Sequence, residues 1–146
     1  MIAWHYTTGQ KYGLICADGQ IKPSTRFLRN HEFGVCWFSV EQTWEPTANK
    51  GVIEHGRLRT LTMLETMEKG FGLVRFGVDE KNLIAWPELA SAARMTRETR
   101  AALEKVGRDQ GSEPMNWRGS IRPVPVRETM VETMVNRTRE WERVPG

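Results

Sequence analysis

Trp4-His5-Tyr6-Thr7-Thr8 and Val35-Cys36-Trp37-Phe38-Ser39 decide the fold. The second stretch lies some thirty residues after the first, and Trp44-Glu45-Pro46-Thr47-Ala48 follows it closely. Both read as strands, because aromatic and β-branched residues fit a pleated, half-buried surface. Each carries polar groups where a plain core strand would carry Val, Ile or Leu. If the strands are neighbours, His5 on one and Ser39 on the other can face one cleft, which makes them candidate ligand contacts. Bland roles compete with that reading: His5 as a satisfied, partly buried histidine, and Ser39 as a cap on the segment 41–44.

Working outward, the spacing predicts a helix over 10–17 with Tyr12, Leu14 and Ile15 inward, closed by the turn Asp18-Gly19. A brief extension follows over 20–22, then a polar loop over 26–33 and a buried strand over 34–40. Pro46 breaks the segment 41–50, and 51–59 reads as an exposed loop holding His55. Met63, Leu64 and Met67 share one helical face, so 62–69 reads as a helix stopped by Gly70. Strands are expected over 71–78 and 82–86. Pro87 opens a helix, Thr96 caps a second over 97–107, and 107–116 is a polar loop. The segment 117–126 is strand-like, with Pro123 and Pro125 keeping it at a sheet edge. The segment 129–135 fits a strand or a short amphipathic helix, and 139–144 a last strand. With no repeat and no boundary, the expectation is one α+β domain over 1–146: antiparallel sheets sharing one cleft, with short peripheral helices.

Composition narrows the function classes. Hydrophobic residues make up 39% and charged residues 27%, which suits a globular, soluble chain. No apolar run approaches the roughly 18 residues of a membrane span, and no basic-then-apolar segment marks the N-terminus as a secretory signal. The expected location is cytoplasmic. Cys16 and Cys36 do not form a disulfide framework; Cys36, inside an apolar strand, reads as a small buried hydrophobe. The three histidines are scattered and show no metal-binding spacing. A net charge of +3 permits an anionic ligand such as a phosphate or dinucleotide but lacks the dense patch of a nucleic-acid binder. Six tryptophans serve either a core or the stacking of planar rings.

His5-Tyr6-Thr7, followed by Cys36-Trp37-Phe38-Ser39 and Trp44-Glu45-Pro46-Thr47-Ala48, resembles the ADP-ribosyltransferase superfamily, in particular its DNA-targeting and small phage-encoded branches. The resemblance covers roughly the first fifty residues. It implies split antiparallel β-sheets with NAD, a co-substrate, held between them. It further implies His5 as the first motif residue on the nicotinamide-side ribose, with Tyr6 and Thr7 placing the backbone against the amide. Phe38 and Ser39 become the second motif, an aromatic on the nicotinamide and a hydroxyl on the ribose or the catalytic acid. The third motif is a glutamate on a later strand; Glu128 is the preferred candidate, with Glu132 four residues on. The catalytic set is then His5, Ser39 and Glu128. Arg26, with Arg29, lies in the polar loop between the motifs, suited to a pyrophosphate. Of Trp37 and Trp44, one packs the core and the other covers a ligand base; Trp44 is assigned to the ligand. Glu41 and Glu45, beside the second motif, are also within reach of the cleft. The implied activity is ADP-ribosyl transfer to a macromolecular acceptor, protein or nucleic acid. If no glutamate fills the third position, the chain is an inactive binding or inhibitor module on the same fold.

Overall fold

The computed structural model describes residues 1–25, 28–29 and 31–145. Its spine is β1 (Ile2–Thr8), which pairs antiparallel along its whole length with β6 (Leu73–Asp79), from Ile2 opposite Asp79 to Thr8 opposite Leu73. On its other side β1 meets β3 (Cys36–Ser39) at one pair only, Trp4 opposite Ser39. The sheet extends past β6 to β10 (Met130–Met134) and β11 (Trp141–Arg143), and past β3 to β8 (Trp117–Ser120) and β7 (Ile84–Ala85). These seven strands are antiparallel throughout, and the fold is a mixed α+β architecture.

Side chains alternate across strands, so the register assigns each residue a face. Ala3, Cys36, Phe38, Val74, Phe76 and Val78 form one core. That side is covered by α1 (Gly9–Asp18), which turns Tyr12 and Ile15 onto it. A small sheet also covers it, made of β2 (Gln20–Ile21) and β9 (Val124–Pro125). Thr8 caps α1, and Gly19 ends it in the left-handed region at φ 78°, where a side chain would be strained. The opposite face carries Trp4, Tyr6 and Leu73 against Trp44, Met134 and Met67 of α2 (Met63–Lys69). Thr62 and Glu65 start α2 with a reciprocal capping box. Farther along that face, Trp86 and Trp117 pack with Leu89 and Ala90 of α3 (Glu88–Ala92) and with Leu103 of α4 (Arg97–Asp109).

A charged group is built into the second face. Arg75 of β6 is buried, with its guanidinium 3.9 Å from the Trp4 ring centre and 4.3 Å from that of Trp141. Its Nε and Nη2 donate to Glu132 of β10 at 2.9 and 2.5 Å, and Nη1 donates to the Gln42 carbonyl. The pair fixes β10 against β6 opposite Tyr6.

Several expectations need correction. The segment 51–59 is no plain loop: β4 (Gly51–Glu54) and β5 (Arg57–Thr60) form a hairpin turning at His55 and Gly56, both with positive φ. The strand at 117–126 is not one edge strand. β8 lies inside the sheet between β3 and β7, and the prolines fall after it, Pro125 within β9. The segment 129–135 resolves as a strand. No helix among the described residues is long and apolar enough to cross a membrane.

Candidate functional site

Beyond Trp4 and Ser39 the ladder between β1 and β3 stops. At the Trp4 end, side chains reinforce the junction: Trp4 Nε1 donates to Gln42 Oε1 at 2.8 Å, and Gln42 Nε2 donates to the Ile2 carbonyl at 2.8 Å. Toward Tyr6 the strands part. His5 Nδ1 lies 2.7 Å from the Trp37 carbonyl, so an imidazole bond stands where a backbone bond would continue the sheet. A carbonyl only accepts, so Nδ1 carries the proton and Nε2 of the neutral ring is left as an acceptor. Burial, the leading influence, pushes the His5 pKa below its ordinary value of 6.5; the Trp37 carbonyl pulls the other way, less strongly.

A cleft of about 370 Å³ opens against this seam. Trp4 and Tyr6 of β1 and Trp37 of β3 border it, with Trp117 of β8 beyond. His5 and Phe38 border it at the seam itself. Leu103, Val106, Gly107 and Gln110, at the end of α4, form a wall. Glu45, Thr47 and Ala48 complete it from the loop after β3, where Pro46 starts the one-turn 3-10 helix Pro46–Ala48.

Glu45 is the carboxylate of the cleft and is only 7% exposed. Its Oε2 accepts from Thr47 N at 3.1 Å, from Thr47 Oγ1 at 2.8 Å and from Ser112 Oγ at 2.6 Å. Ser112 Oγ in turn accepts from Trp117 Nε1 at 3.0 Å, so the chain of bonds runs from the cleft's tryptophan to its carboxylate. Among the described residues no donor bonds Oε1, which is the oxygen available to a ligand. Three neutral donors hold this buried carboxylate in fixed orientation.

No family model, curated protein or solved structure matches this chain.

The functional reading therefore rests on where the geometry places each candidate. His5, Tyr6 and Phe38 border the cleft. Ser39 does not: it shares the Trp4 face by register, is buried, and its Oγ accepts from Glu41 N at 3.1 Å, which makes it the cap of the following turn. His5, one position along β1 from Trp4, belongs by alternation to the other face, beside Phe38 and Phe76 at 5.7 and 6.3 Å between ring centres. The two residues therefore do not face one cleft as a pair. Thr7 is buried in β1 and does not line the cleft. The two tryptophans exchange the parts expected of them. Trp44 packs against Tyr6 at 5.2 Å and bonds Asn49, while Trp37 lines the cleft. Glu128 ends the 3-10 turn Val126–Glu128, exposed and away from the cleft; Glu132 is committed to Arg75. Arg26 lies outside the described residues. The carboxylate in place is Glu45, whose signal in the sequence was its position beside the second motif. The Tyr6 hydroxyl donates to the Glu41 carbonyl, and burial pushes its pKa up to about 12, so it stays protonated.

Two predictions arise here. A Cβ on Gly107 would stand 2.5 Å from Trp117 Cζ2, so α4 reaches the cleft only because position 107 lacks one. Gly107→Ala is expected to cost about 1–3 kcal/mol by overpacking, offset in part by about 1 kcal/mol of helix propensity. A thermal melt and the tryptophan emission report the outcome, and an unchanged melt with unchanged emission would refute the close fit. The second concerns pH. The folded pKa of His5 is lowered, so its contribution to stability is complete above pH 6.5 and is lost as pH falls toward the folded value. Urea midpoints for wild type and His5→Gln should converge as pH drops through that window; parallel curves would contradict the assignment.

Proposed function

We propose that this chain is an NAD-dependent ADP-ribosyltransferase acting on a macromolecule, built on a split antiparallel fold, with the nicotinamide end of NAD in the β1–β3 cleft. One observation carries the reading. The segments that resemble the superfamily's first two motifs lie on neighbouring strands that part after a single pair, and an aromatic cleft with a buried carboxylate opens at the parting.

Tyr6 and Trp37 flank the nicotinamide ring, and His5, bonded through Nδ1 to the Trp37 carbonyl, borders the ribose end at the seam. Glu45 takes the part first assigned to Glu128. Its Oε1 accepts from the 2′-hydroxyl and stabilises positive charge growing on the ribose as the C1′–N bond breaks. The bonding pair leaves with the ring, so cationic nicotinamide departs neutral. A nucleophile of the acceptor then adds to C1′ and releases its proton to solvent. Glu45 stands in the loop after β3 and not on a later strand, which departs from the superfamily's pattern.

That departure favours a second reading, an inactive binding module. Glu45 Oε2 is already satisfied by three donors, and Glu128 does not line the cleft. Incubation with NAD and fractionated lysate separates the two. Free nicotinamide and ADP-ribose adducts by mass spectrometry are expected. NAD binding without consumption would leave the binding module; neither binding nor consumption in any fraction would end both NAD readings.

A further inference from the structure

We infer that this cleft selects an organic cation, a pyridinium or quaternary ammonium head group, over a neutral group of the same shape. The inference rests on the cleft being a ligand site and deepens the NAD reading, but it does not require NAD.

The lining has one sign of charge. Glu45 is its formal charge, and no lysine or arginine is among the lining residues. His5, held neutral by burial, adds no positive charge. The remaining lining is mostly uncharged and apolar, with Trp37, Trp117, Tyr6, Trp4 and Phe38 as its aromatic rings. Aromatic faces carry negative potential and attract a cation within about 6 Å, indole most strongly. An anion would meet these faces and the carboxylate without a compensating donor cation.

The fold already holds one cation in such surroundings. Arg75 lies between Trp4 and Trp141, balanced by the carboxylate of Glu132. It takes a face of Trp4 and lies 5.9 Å from the Tyr6 ring centre, so Trp37 and Trp117 carry most of the cage offered to a ligand. In the cleft, Glu45 is tied to Trp117 through Ser112, and no cationic side chain among the lining residues balances it.

Size sets the part of the ligand that enters. At about 370 Å³ the cleft lies near the lower end of ligand pockets, roughly 300–1,000 Å³. It suits a head group, leaving any phosphates outside the carboxylate-bearing space. A pyridinium that becomes neutral on bond cleavage would lose the attraction that seated it, so product release follows from the same chemistry.

The test compares cations with neutral isosteres by chemical-shift titration of the tryptophan indole N–H signals. The pairs are N-methylnicotinamide against nicotinamide, and choline against 3,3-dimethylbutanol. Each cation is expected to bind on the order of tenfold tighter than its isostere. The preference should collapse in Glu45→Gln and weaken in Trp37→Leu. Equal affinity within both pairs, or no binding of either cation, overturns the inference. If Glu45→Gln fails to fold, the wild-type pairs and Trp37→Leu still decide. NAD turnover is scored separately. Cation preference without NAD binding sinks the transferase reading alone, whereas NAD consumption with equal probe affinities sinks this inference alone.

Discussion

Glu132→Ala is expected to destabilise the protein by about 3–5 kcal/mol, because it strands the buried Arg75 charge. The guanidinium is only partly compensated by what remains. Tyr6 Oη lies at 3.3 Å, the Gln42 carbonyl accepts from Nη1, and the two indoles flank it. None of these carries a full negative charge. A urea titration should show a lower midpoint with an unchanged slope. Replacing both partners by methionine should recover much of the loss, since a buried pair stabilises little relative to well-packed apolar side chains. A single variant within about 1 kcal/mol of wild type would show that water reaches the pair and screens it.

The second large effect concerns chemistry. If Glu45 stabilises the developing ribose cation, Glu45→Gln should slow nicotinamide release by about 10²–10³-fold. Glutamine keeps an oxygen acceptor for Thr47 or Ser112, so the stability cost should be near 1 kcal/mol, about one hydrogen bond. Glu128→Gln should leave the rate unchanged, because that side chain is exposed and outside the cleft. The reverse pattern, with Glu128 essential and Glu45 dispensable, would remove Glu45 from the mechanism.

Local chemistry made much of this fold legible. Thr8 and Gly19 bracket α1, Thr62 and Glu65 open α2, and Thr96 caps α4, all through side-chain or backbone bonds within a few residues. The β4–β5 hairpin was harder to see. Ile53 and Leu58 face each other across it yet are 71% and 74% exposed, so no burial pattern marks the strands. Its turn, His55-Gly56, is not among the usual hairpin pairs. The candidate site was legible only in part. His5, Tyr6 and Phe38 reach the cleft, but register decides that Ser39 does not share a face with His5, and register is a long-range property. The choice between Trp37 and Trp44 likewise depends on the face of β3 that Trp37 occupies and on where the following loop carries Trp44. Gln110 and the apolar end of α4 joined the site through packing against Trp117, which no local pattern announces.

The single pair between β1 and β3 makes the sheet two rafts, moored by their ladder at Trp4 and Ser39. A ligand in the cleft touches Trp4 and Tyr6 on one raft and Trp37 and Trp117 on the other. It would act as a rivet, adding a second mooring where the backbone has none. Occupancy should then slow hydrogen exchange at the β1 amides facing β3 more than at those paired with β6. Equal protection on both sides of β1 would mean that the rafts were never free to move.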